Sequence, residues 1–116
     1  MKVPVLISSR HYAKPYELEA SVSKPDSLFA VVKMQNAKGY SIVHRASGFF
    51  VMSLLPSKSF GQRELLAVVK AWESHSELEI EKSMGADSVE FGKGFKNPPS
   101  AAVVSAMRSI ACDVVA

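Results

Sequence analysis

Long apolar runs are missing from this 116-residue chain. No uninterrupted run exceeds the length of Gly48–Met52, far short of the roughly 18 residues that a membrane-spanning helix requires. The opening MKVPVLISSRHY carries one Lys and five apolar residues in a row. A secretory segment uses about 7–15 and a small-residue cleavage site, so no signal peptide is expected. Cysteine is nearly absent. Cys112 alone excludes an intrachain disulfide framework and points to a reducing, cytoplasmic compartment.

Catalytic and ligating signatures are missing as well. There is no C-x-x-C, H-x-H or H-E-x-x-H, and His11, His44, His75 and Cys112 lie far apart in the chain, so neither a metal nor a cofactor is expected. No G-x-S-x-G elbow accompanies Ser47 and His44, and Ser47 suits a turn better than a nucleophile. The G-x-x-x-x-G-K-[ST] order of a phosphate-binding loop is absent too. With no constellation of named roles, an enzyme is not expected. Internal repeats, low-complexity tracts and linkers are also lacking, which leaves a single compact domain over residues 1–116. An apolar fraction of 47% against 22% charged residues suffices for an ordinary globular core.

What the chain does have is an uneven charge distribution. Residues 1–70 hold ten Lys/Arg against four Asp/Glu, and residues 71–116 hold four against seven, differences of +6 and −3. Such a split between halves is a mark of nucleic-acid or acidic partners, although a solvated surface accounts for the same charges.

Punctuation by Pro, Gly and Ser cuts the sequence into short elements. YELEASV (16–22) alternates Tyr16, Leu18, Ala20 and Val22 with Glu17, Glu19 and Ser21, the pattern of a half-buried strand. SKPDS (23–27) reads as a turn. LFAVVKM (28–34), YSIVHR (40–45) and FFVMSLL (49–55) follow, which together predict an antiparallel meander of four strands. Ser59 and Gln62 have capping-box spacing, and Leu65, Val68, Val69 and Trp72 then fall on one face of a helix over about 60–74. Residues 76–91 fit a second hairpin through the alternation of Leu78 and Ile80 with Glu77, Glu79 and Glu81. A capping box at Ser76 and Glu79, closed by Gly85, offers a short helix instead. The row of glutamates suits a solvated strand edge better than a cation site. Asn97 and Pro98 open a C-terminal helix with Val103, Met107, Ile110 and Val114 as its apolar stripe and Ser105, Arg108, Ser109 and Cys112 opposite. The fold class is therefore α+β: a four-stranded meander, an amphipathic helix, a hairpin and a final helix.

The pair His44–Arg45 sits where that meander turns. A three-residue loop Ala46-Ser47-Gly48 with Gly48 left-handed would set Arg45 opposite Phe49 and His44 opposite Phe50. His44 would then lie at the edge of the core near Ala30. Arg45 would share the other face with Phe49, Lys33, Val31, Phe29, Val43 and Val51. That face is apolar and basic at once. Either the C-terminal helix covers it, or it takes single-stranded nucleic acid, with bases on rings and phosphates along Lys/Arg. Two further stretches fit a nucleic-acid reading. RHYAKPY interleaves Arg10, Tyr12 and Lys14. FGKGFKNPP puts Lys93 and Lys96 before a helix start, where free N–H groups attract phosphate, though turn glycines explain it equally.

In element order, a strand meander followed by a helix resembles the Whirly type of single-strand-DNA-binding fold. That resemblance implies a nucleic-acid partner, although order of elements does not by itself assign function. Short chains without catalytic signatures also serve as accessory, regulatory or inhibitory proteins, including those on mobile elements. Two functions are thus expected: non-enzymatic nucleic-acid binding, or a protein-interaction or inhibitor module docking on an acidic surface or on a second copy of itself.

Overall fold

In a computed structural model of the chain, which describes residues 2–7, 16–33, 39–45, 48, 50–51, 60–75 and 100–115, the alternating stretch at 16–22 lies inside a four-stranded antiparallel sheet. The strands are β1 (Lys2–Ile7), β2 (Tyr16–Ser21), β3 (Phe29–Lys33) and β4 (Tyr40–His44), ordered β1-β2-β3-β4, followed by helices α1 (Gln62–Ser74) and α2 (Ala101–Val115). The α+β class is the observed one.

The membership of the sheet differs from the sequence reading in one strand. β1 pairs with β2 along its whole length, from Lys2 opposite Ser21 to Ile7 opposite Tyr16. Val5 is buried while Lys2, Pro4 and Leu6 are exposed, so the stretch does alternate. Pro4 in its middle masks the signal, since proline cannot donate to a ladder. It is tolerated here because β1 is the outermost strand among the described residues. Of the strand expected at 49–55, only Phe50 and Val51 are described. Phe50 bridges Val43, and Val51 N–H donates to Ile42 O at 2.9 Å. With Tyr40 N–H donating to Phe60 O at 3.2 Å, these residues line the outer edge of β4. The hairpin expected at 76–91 and the Asn97-Pro98 start lie outside the described residues.

Apolar side chains are buried on both faces of the sheet. Phe29, Val31, Ile42 and Val51 pack under Leu65, Val68, Val69 and Trp72 of α1, with Met107 and Ala111 of α2 in the same cluster. The opposite face buries Val5, Ala20, Val22, Ala30, Val32 and Val43. Each such side chain contributes roughly 1.5–3 kcal/mol when fully buried, less for alanine. The periodicity at 65–72 is matched residue for residue. Its cap is not: Gly61 is the N-cap, and Glu64 Oε1 accepts its N–H at 3.1 Å. Ser59, expected to cap, is outside the described residues.

On α2 the apolar stripe is rotated from the expected one. Met107 and Ala111 are fully buried, Val103 and Ile110 partly so, and Val114 is exposed. The reason is what the helix packs on. It lies chiefly against α1, and Trp72 Nε1–H donates to Met107 O at 2.8 Å inside the interface. That contact favours small Ala111 on the facing side. Ser105, Arg108, Ser109 and Cys112 are exposed, as the stripe required. Ser100 starts the helix, its Oγ accepting Val103 N–H at 3.3 Å.

Candidate nucleic-acid interface

Among the described residues, Arg45 does not share a face with Phe29 and Val31, because the register is one residue away from the one expected. β3 and β4 pair Phe29 with His44 and Ala30 with Val43. Beyond the turn, Val43 rather than His44 opposes Phe50. Side chains alternate with a period of two, so a slip of one residue moves every side chain to the other face. Gly48 is left-handed at φ 73° as the turn chemistry demanded. Its N–H donates to His44 O at 2.8 Å, so the hydrogen-bonded turn runs from 44 to 48.

Phe29 is consequently a core residue and not a stacking platform. It is fully buried, edge-on to Trp72 at 5.5 Å and 67° and to His44 at 5.7 Å and 63° between ring centroids. No base can reach it. It is α1, and not the C-terminal helix named in the expectation, that packs on β3 over Phe29.

Arg45 lies just past β4, half-buried. Its Nη1 donates to Pro25 O at 2.9 Å and Ser27 O at 2.8 Å, and its backbone N–H donates to Leu28 O at 3.0 Å. The guanidinium thus caps carbonyls of the β2–β3 turn, a use of its planar donor fork that periodicity cannot reveal. From the other side, Glu73 of α1 accepts the same turn's donors. Its Oε1 receives Ser27 Oγ–H, Leu28 N–H at 3.0 Å and Phe29 N–H at 3.4 Å. Cation on carbonyls and anion on N–H groups hold the turn between them, while its tip, Ser23–Asp26, stays exposed. Glu73 went unnoticed in the sequence, where an acidic residue beside a buried Trp on a helix looks like ordinary surface.

Of the other expected binding residues, Lys33 ends β3 and is exposed. Phe49, Arg10, Tyr12, Lys14, Lys93 and Lys96 lie outside the described residues. Among the described residues no group of His, Cys, Asp or Glu is placed to hold a metal, and no helix is long and apolar enough to cross a membrane. Cys112 is exposed with a free thiol.

His44 occupies the core edge as expected, beside Phe29 rather than Ala30. Burial disfavours the imidazolium and lowers its pKa from the ordinary value of 6.5. Below about pH 6.5 the unfolded chain therefore takes up a proton that the folded site still refuses, and protons pull the equilibrium toward unfolding. Stability should be full above about 6.5 and decline as pH falls from there. Denaturant melts between pH 7.5 and 5.5, a range lying above most carboxylate titrations, check this. The slope should flatten in His44→Asn, and an equal slope in both proteins would assign the effect to another group.

No known protein family, curated protein or solved structure matches this chain.

Proposed function

We propose that this is a small non-enzymatic nucleic-acid-binding protein that engages its partner at one end of the sheet instead of across a face. The supporting observation is where positive charge falls on the meander. Because each strand is antiparallel to the last, the chain from Ile7 to Tyr16 and the chain from Lys33 to Tyr40 reverse at the same end. Those two connections contain Arg10, Lys14 and Lys38, with neither Asp nor Glu in residues 8–15 or 34–39. Exposed Lys33 closes β3 at that end. Glu17, exposed beside Tyr16 at the same end, is outnumbered by these four cations, which draw in a phosphate backbone, and Tyr12, between Arg10 and Lys14 in the sequence, offers a ring for a base.

Fluorescence anisotropy with labelled single- and double-stranded DNA and RNA tests the reading. Affinity should fall steeply as salt rises, since phosphate contacts release counterions. The double variant Arg10→Glu/Lys14→Glu should bind on the order of 10–100-fold more weakly, with a salt slope reduced by about two, and melt like the parent. No binding at low salt, or binding indifferent to salt, overturns the proposal.

A second reading, a protein-interaction or inhibitor module, has its own support. β1 is the outer strand, it has no partner beyond β2 among the described residues, and Leu6 on it is 51% exposed. An open strand edge is a template for another strand. Its simplest form is a homodimer joined through β1, which light scattering at high protein concentration should register as a doubled mass. A monomer there removes that form.

A further inference from the structure

We draw no further inference here: the strongest candidate, the outer edge of β1 with Leu6 exposed on it, belongs to the second reading above, and nothing in the structure shows what pairs with it.

Discussion

Replacing Phe29 with alanine should destabilise the fold by about 3–5 kcal/mol, enough to lower Tm on the order of 15 °C in a domain of this size. The ring is fully buried where β3 meets α1, so its removal leaves a cavity that the close-packed neighbours fill only in part. Two edge-to-face contacts go with it, to Trp72 and to His44, each adding about 0.5–1.5 kcal/mol for an aromatic pair, less where the partner is an imidazole. Thermal melts followed by circular dichroism give the answer directly. Nucleic-acid affinity, measured well below the variant's Tm, should match that of the parent, because the ring faces α1 and not a ligand. A variant that melts like the parent but binds nucleic acid poorly would return Phe29 to an open face and overturn the packing described here.

That experiment bears on how far patterning reaches. Helix α1 was legible because Leu65, Val68, Val69 and Trp72 repeat with the helix period, and burying that stripe needs no knowledge of what lies opposite. Strands β2, β3 and β4 were legible for a similar reason, through alternation or a run of β-branched residues between turn signals. β1 was hidden by one residue, Pro4, whose tolerance depends on the strand being outermost, a property of the sheet and not of the segment. Register was the costlier loss. The number of residues spent in a turn fixes which side chains share a face: a loop counted as three residues set His44 opposite Phe50, whereas Val43 bridges Phe50, and Phe29, expected on the face of Arg45, pairs with His44. The stripe of α2 failed by rotation, because its partner is α1 and the decisive contact is the indole of Trp72 on a backbone carbonyl, which no apolar pattern encodes.

The candidate interface fared accordingly. Arg45 is cationic and was expected beside Phe49 across the hairpin, the composition of a phosphate contact, but its partners are carbonyls 20 and 18 residues earlier in the chain. Residue type announced a donor and left the acceptor open. Charge distribution survives this correction because it depends on connectivity alone: whatever the register, segments joining β1 to β2 and β3 to β4 reverse at one end. For that reason the nucleic-acid proposal now rests on Arg10, Lys14, Lys33 and Lys38 and no longer on Arg45 and Phe29.

Glu73→Ala should be the most damaging change outside the apolar core, at about 2–4 kcal/mol. Three donors converge on Oε1 from the β2–β3 turn: the Ser27 hydroxyl and the N–H groups of Leu28 and Phe29. Hydrogen bonds to a charged group contribute roughly 1.5–3 kcal/mol, and a buried donor stripped of its acceptor costs about 1–3 kcal/mol more. Ser27 is buried and Leu28 half-buried, so water replaces the lost acceptor poorly. Arg45 cannot compensate, since it holds the turn by its carbonyls. Glu73→Gln should fall between parent and alanine. An amide oxygen still accepts at the Oε1 position, but the nitrogen lands where Oε2 is buried without a hydrogen-bond partner, adding donors with nothing to receive them. A double-mutant cycle with Ser27→Ala separates this account from a general loss of helix packing. Glu73→Ala and Ser27→Ala share one hydrogen bond, so their effects in denaturant melts should be less than additive by about 1 kcal/mol or more. Strict additivity would mean that the carboxylate does not hold the turn and that the cost of Glu73→Ala arises elsewhere on α1.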